Sequence, residues 1–382
     1  MNNLFTRYLI PTAALLTIAS QTAAQNSETL EQGLSNSGTS VSNLLRNARY
    51  DFGRGLTFTS KDGDNSMTVG GQVQAGYSWA DDGDNTDTSA FSSNARIRVG
   101  GSVMDGKASY FVQMNPSGGG QGNNNLVDAW VGWGLTDSIN LRLGQQKMRS
   151  GLSADTSAND TDFETVNRSN ATNEFANGRA TGALLEGHGM EGRFNWHFGM
   201  ANNGTSQGSG QGNDDTDMMV TAGASFGSHG GNSESWSEGD LARTGAMQWI
   251  AGATITANNG TVANDNDTTL NVFGGMKLGN GLAAQLDIWS RDADAADTTD
   301  DGYSLQASYT MAKSGSMQPG FVLRHSSVTI DDGDDATETA LGVNAYYAAH
   351  NLKTQLQVTS SNAGGVADDD QLSLDLMFTL VF

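Results

Sequence analysis

From Met67 onward the chain alternates apolar and polar positions in segments of about ten residues, each bounded by Gly, Asn or Asp clusters. In Met67 to Trp79 one face carries Met67, Val69, Val73, Ala75, Tyr77 and Trp79, and the other Thr68, Gln72, Gln74 and Ser78. In Glu191 to Met200, Phe194, Trp196, Phe198 and Met200 alternate with Glu191, Arg193, Asn195 and His197. The last stretch sets Leu372, Leu374, Leu376, Phe378, Leu380 and Phe382 against Ser373, Asp375, Met377, Thr379 and Val381. A period of two belongs to strands. One apolar and one polar face suits a wall between lipid and a wet lumen.

Strands are expected to begin near residues 67, 92, 107, 125, 138, 180, 190, 215, 245, 268, 281, 302, 318, 338, 351 and 370. That is sixteen, and single-chain bacterial barrels use even numbers. Short connectors such as Asp105-Gly106, His188-Gly189 and Gly279 to Gly281 interleave with long ones such as Asp81 to Ala90, Met148 to Arg179 and Asn202 to Asp214. Short periplasmic turns alternating with long extracellular loops are what such a barrel requires. Gly227 to Thr244 breaks the rule, being long where a turn is due. Either a strand is miscounted there or the periplasmic side carries an inserted loop. The expected fold is therefore all-β, a transmembrane antiparallel barrel of about 16 strands with one constriction loop.

Composition narrows the alternatives. Hydrophobic residues are 37 %, Gly is 49 of 382, Pro is 3 and Cys is 0, so the chain is poorer in apolar residues than a soluble domain. It nevertheless carries 14 Phe, 8 Tyr and 7 Trp, which argues against disorder. Beyond the N-terminal segment no run of about 18 apolar residues occurs, so no helix is expected to span a membrane. Arg7, the apolar stretch Tyr8 to Ala19 and the small residues Thr22-Ala23-Ala24 have the form of a secretory signal peptide over residues 1–24. Residues 25–66 read as a periplasmic segment, a linker or a short helix, and residues 67–382 as the barrel.

The net charge of -22 is concentrated in the long loops. Asp81, Asp82, Asp84, Asp87, Asp214, Asp215, Asp292, Asp294, Asp297, Asp300, Asp301, Asp331, Asp332, Asp334, Asp335 and Asp368 to Asp370 are expected at the extracellular rim. The inward face is instead mildly basic, with Arg96, Arg98, Arg142, Arg193, Lys277, Arg324 and Lys353 against Asp128, Glu186, Glu191, Asp287 and Asp375. An Arg or Lys facing lipid at mid-membrane would cost roughly 2–4 kcal/mol. Such charges must face inward, where they govern ion selectivity. The longest connector, Met148 to Arg179, contains Arg149 and Arg168 and is placed to fold into the barrel and narrow it. The expected pore-lining and selectivity residues are Arg96, Arg98, Asp128, Arg142, Lys147, Arg149, Arg168, Arg193 and Arg324. The rim carboxylates suit loosely held Ca²⁺ or Mg²⁺, including those bridging to lipopolysaccharide, but no loop has the EF-hand pattern and no cofactor is expected.

Leu141-Arg142-Leu143-Gly144-Gln145-Gln146-Lys147, then Gly151-Leu152, Asn167-Arg168-Ser169 and Phe175 to Arg179, resemble the phosphate-selective porin O/P family. Val127 to Trp130 and the strand bearing Arg96 and Arg98 are similar to the family's preceding strands. The resemblance implies a sixteen-stranded outer-membrane porin, usually trimeric, passing small anions by diffusion. Phosphate-specialised members carry denser inward Arg and loop Lys, whereas these loops are acidic, so general small-solute or even cation-preferring diffusion stays open. The aromatic ending also resembles the closing strand of outer-membrane barrels, which implies that Phe378 and Phe382 signal to the barrel-assembly machinery. Outer-membrane lipid, lipopolysaccharide and small solutes are the expected partners, and nucleic acid is not.

Two other classes compete: a plugged structural or adhesive barrel with a cation-binding acidic rim, and a secreted soluble β-protein. An enzyme is not expected. Gly223-Ala224-Ser225-Phe226-Gly227 matches a nucleophile elbow in form only, because Ser225 lies within an alternating strand with no helix to follow.

Overall fold

The computed structural model describes residues 48–83, 85–116, 125–156, 161–202, 218–228, 231–259, 266–293, 298–330, 333, 335–362 and 370–382. Residues 48–59, within the stretch read as a linker or short helix, are a β-hairpin of β1 (Ala48–Asp51) and β2 (Gly55–Thr59). Its second strand pairs with the start of β3 (Ser66–Asp81), Leu56 opposite Val69 and Thr59 opposite Ser66. The signal peptide and residues 25–47 lie outside the described residues.

Sixteen strands, β3 to β18, then run antiparallel around a wall. They are β4 (Thr86–Val103), β5 (Ala108–Met114), β6 (Leu126–Thr136), β7 (Ile139–Lys147), β8 (Arg179–Gly189), β9 (Phe194–Asn202) and β10 (Met218–Gly227). After them come β11 (Gln248–Asn259), β12 (Asn266–Lys277), β13 (Leu282–Ala293), β14 (Thr298–Thr310) and β15 (Gln318–Thr329). The wall is completed by β16 (Ala336–Tyr346), β17 (Leu352–Asn362) and β18 (Asp370–Val381). The last strand pairs back onto β3, from Leu372 opposite Asp81 to Val381 opposite Gln72. A closed ring leaves no sheet edge, so strand amides and carbonyls can be satisfied inside lipid.

The alternation fixes which face is which. On β18, Leu372, Leu374, Leu376, Phe378 and Leu380 are exposed on the outer surface, while Asp375, Met377, Thr379 and Val381 are buried inside. Gln72, Gln74, Arg96, Arg98, Asp128, Asp287, Arg324 and Lys353 are likewise buried on the inner face. Among the described residues no helix is long and apolar enough to cross a membrane; the crossing is made by strands.

The turns at 104–107, 137–138, 190–193, 278–281, 311–317 and 347–351 lie at the end that carries the hairpin, and the long connectors join strands at the other rim. The strand count stands at sixteen, so the anomaly after Gly227 is an inserted loop, residues 228–247, and not a miscounted strand. Much of the expected acidic rim (Asp84, Asp214, Asp215, Asp294, Asp297, Asp331, Asp332, Asp334, Asp368 and Asp369) lies outside the described residues. Asp300, third residue of β14 at the long-connector end, is not exposed there but buried, 2.5 Å from Arg291 of β13.

Candidate functional site in the barrel lumen

The connector from Met148 to Gly178 turns inward. Its first helix, α1 (Leu152–Asp155), begins at Gly151, whose φ of 147° and close neighbours admit no side chain: a Cβ would lie 2.7 Å from both Asn271 Oδ1 and Asp287 Oδ1. The amides of Leu152 and Ser153 donate to the Asp287 carboxylate of β13 at 2.8 and 3.1 Å. The second helix, α2 (Asn170–Phe175), is capped by Ser169, whose hydroxyl accepts from the Thr172 amide at 3.0 Å. Ala171 and Phe175 pack on Trp289 and Val328 of the far wall. Between the helices, Asn344 and Gln355 donate to the Glu164 carbonyl at 2.8 and 2.9 Å, and Lys353 donates to the Phe163 carbonyl. The loop thus crosses from β7 to β13–β17 and is tied down by wall side chains.

The inserted loop enters from the opposite end. Asn232 caps a short 3-10 turn, Ser233–Ser235, by accepting from the Glu234 amide at 3.0 Å. Trp236 packs against Leu152, Ile250 and Phe273, and its indole N–H donates to Gln285 at 3.3 Å. Glu238 accepts from Gln285 and Gln306, each at 2.8 Å, and Asp240 accepts from the Gly281 amide at 2.7 Å. The two loops are stitched together in the lumen. Ser233 Oγ donates to Asp155 at 2.7 Å, the Glu238 amide to the Asp162 carbonyl at 3.0 Å, and the Glu164 amide to Glu238 at 2.7 Å.

At one side of this seam four charges meet. Arg142 of β7 binds Glu186 of β8, with Nε 2.8 Å from Oε2, and its Nη2 lies 3.1 Å from Glu234 Oε2. Arg149 reaches Glu186 Oε1 through Nε at 3.0 Å and Glu234 Oε2 through Nη2 at 2.5 Å. Burial alone would raise the Glu234 carboxyl, but Arg149 and Arg142 outweigh it and hold it well below the usual carboxylate range. Burial likewise opposes the Arg149 charge, yet Glu186 and Glu234 lift its pKa well above the ordinary value. Beneath the cluster a cavity of about 320 Å³ is lined by Asn140, Glu186, His188, Asn195 and Asn232.

Residues 67–361 match the family described as phosphate-selective porin O and P. The chain belongs to that family. This porin shares its fold with solved outer-membrane proteins at low sequence identity. The anion-selective porin from Comamonas acidovorans is 16 % identical, with a TM-score of 0.55 over 83 % of this chain and 100 % of that one. Pseudomonas putida OprB is 10 % identical, with a TM-score of 0.60 over 83 % and 94 %. The outer-membrane channel DcaP of Acinetobacter baumannii is 11 % identical, with a TM-score of 0.53 over 85 % and 99 %. No curated protein sequence matches significantly. The protein is an outer-membrane porin, as the strand pattern and the resemblance led one to expect.

The porin's expected selectivity residues take different positions. Arg142 and Arg149 meet in the charge cluster. Arg168 instead holds the constriction loop together, donating to the Ser153 and Ala154 carbonyls at 2.8 and 3.0 Å with its guanidinium 4.5 Å from the Phe163 ring centroid. Arg324 clamps the same loop from the wall, 2.7 Å from Thr165 Oγ1, and pairs with Glu338 at 2.6 Å. Asp128 pairs with Arg179 at 3.0 Å. Arg96 and Arg98 face inward on β4, the first 3.4 Å from Gln113 and the second 2.8 Å from the Gly53 carbonyl of the hairpin. Lys147 ends β7, half-buried.

Arg193 is a correction. It lies not on the wall but in the turn after Met190–Gly192, 63 % exposed and 3.6 Å from Glu191. Positive φ at Met190, Glu191 and Gly192 turns the chain there, so the alternation that includes Glu191 and Arg193 begins before the strand does. Phe378 and Phe382 face outward, and Phe382 exchanges backbone hydrogen bonds with Gly71. Ser225 sits within β10 and donates to the Gly231 carbonyl. Sequence reasoning missed Glu234, Trp236, Glu238 and Asp240; the one available signal was a periplasmic connector too long for a turn.

Proposed function

We propose that this porin passes small hydrophilic solutes by passive diffusion, with weak preference between anions and cations, and that it does so as a homotrimer. The observation that carries the reading is the internal pairing of lumen cations. Arg142 and Arg149 face Glu186 and Glu234, Arg179 faces Asp128, Arg324 faces Glu338, and Arg291 faces Asp300 and Glu174. A selective pore presents one sign of charge to the permeating ion. Each of these five guanidiniums has a carboxylate beside it, so the field that they present to a passing ion is that of a dipole and falls off quickly. Phosphate preference has only the family's name behind it. Support for the trimer comes from a solved relative in fold, OmpT of Vibrio cholerae, whose structure is described as a trimer form.

The stitching of two loops inside the lumen favours one other reading, a closed structural or adhesive barrel. Reversal potentials of the purified protein in planar bilayers under a salt gradient separate the two. Conductance with a reversal potential near zero supports the diffusion porin; an absence of channels supports the closed barrel, and strong ion preference contradicts the weak selectivity.

A further inference from the structure

We propose that Glu234 is a tethered carboxylate filling an oxyanion position built by Arg142 and Arg149, so that the inserted loop sets the pore's charge preference. The proposal rests on the reading of the chain as a conducting porin.

The geometry is that of a bound anion. One oxygen, Glu234 Oε2, is held by Nη2 of two guanidinium groups, at 2.5 Å from Arg149 and 3.1 Å from Arg142. The two arginines come from one wall strand, where Arg142 sits mid-strand, and from the loop that follows it, while Glu234 comes from a separate segment that belongs to no strand. Charge-assisted contacts of this kind recognise carboxylate, sulfate and phosphate alike. Arg149 Nη1 is buried without a hydrogen-bond partner, so the position holds a donor that the Glu234 side chain does not use.

Charge counting gives the consequence. Glu186 is fixed on β8 and balances one of the two arginines; Glu234 balances the other. Without Glu234 this group of four charges is left one positive charge in excess, with the Asp155 carboxylate also acting on Arg149. Arg149 is 2 % exposed and Arg142 13 %, so an ion would reach that charge only through the position of the Glu234 side chain, which is 25 % exposed and lies near the 320 Å³ cavity that Glu186 and Asn232 line. The inserted loop is fastened elsewhere through Trp236, Glu238 and Asp240, so its seat does not depend on the Glu234 carboxylate alone.

The test uses the full-length protein in planar bilayers with Glu234→Gln, after heat-modifiable migration confirms a folded barrel. The variant is expected to shift the reversal potential toward chloride, raising the chloride-to-potassium permeability ratio about three- to tenfold. Millimolar sulfate is expected to block its current while leaving the wild type unaffected. Glu186→Gln also gains a net positive charge but keeps Glu234 in place, so it is expected to shift the reversal potential without sulfate block. Should Glu234→Gln not fold, Glu234→Ala, which likewise removes the carboxylate and vacates its position, is read the same way. A conducting wild type beside a folded variant with unchanged reversal potential and no sulfate block overturns the inference alone. A wild type that never conducts overturns the porin reading and the inference with it.

Discussion

The Glu164 amide donates to the Glu238 carboxylate across 2.7 Å, joining a loop that enters from the outer rim to one that enters from the periplasmic end. The two side chains are also brought together, since Gln306 bridges them at 3.5 and 2.8 Å. Burial, with the Glu238 charge adding to it, raises the Glu164 carboxyl to about 7 against the hydrogen bond from Ser308 and the nearby Lys353. An acid whose folded pKa is raised is favoured in its protonated form, so its ionisation weakens the folded arrangement. The seam is therefore expected to be firmest below about pH 4.5, to loosen as pH rises toward about 7, and to change little above that. Hydrogen exchange of residues 161–178 followed against pH should show this slope, and Glu164→Gln should remove it; a wild-type slope in the variant would assign it to another group.

Asp287 holds the start of α1 by accepting from two backbone amides and the Ser153 hydroxyl. Asp287→Ala leaves those amides without a partner, and hydrogen bonds to charged groups are worth about 1.5–3 kcal/mol each. The variant should keep its barrel yet expose the constriction loop. Limited trypsin digestion ought to cut near Arg149 or Arg168 in the variant and spare the wild type.

Arg193 provides a contrast with Arg142. Because it is exposed in a periplasmic turn beside Glu191, Arg193→Ala should leave conductance and reversal potential within error of the wild type. Arg142→Ala, which leaves Glu186 and Glu234 facing only Arg149, should move the reversal potential toward cation preference by several millivolts or more. Equal effects of the two changes would contradict the placement.

Phe382 packs its ring where a Cβ on Gly71 would lie 2.8 Å from the ring's Cζ, and its backbone closes the ladder between β18 and β3. Phe382→Ala is expected to lower the folded protein recovered from outer membranes several-fold, as read by heat-modifiable migration. Wild-type membrane levels would show that the aromatic ring is dispensable for assembly.

The wall was legible because each strand carries its own evidence: alternation on β18 or β9 needs no knowledge of any other strand. Only β4 began as much as six residues early, at Thr86 rather than near 92, since its extracellular end is polar on both faces. The β1–β2 hairpin was hidden because Leu56 and Phe58 alternate with Thr57 and Thr59 over too few residues to stand out. The site was harder. The path of each loop is set by distant acceptors and donors such as Asp287, Gln285, Gln306 and Asn344, and no local pattern records partners that lie from 47 to 180 residues away. The basic residues of the wall were legible, Arg193 apart, but their charge balance was not, because the carboxylate that completes the Arg142–Arg149 cluster is supplied by a loop whose path has no period.

Single-channel recording of the purified wild-type protein in a tenfold KCl gradient tests the central claim most directly. A diffusion porin with internally paired lumen charges predicts ohmic openings whose reversal potential lies within about 15 mV of zero. A silent protein, or a reversal potential close to the Nernst value of either ion, would contradict it.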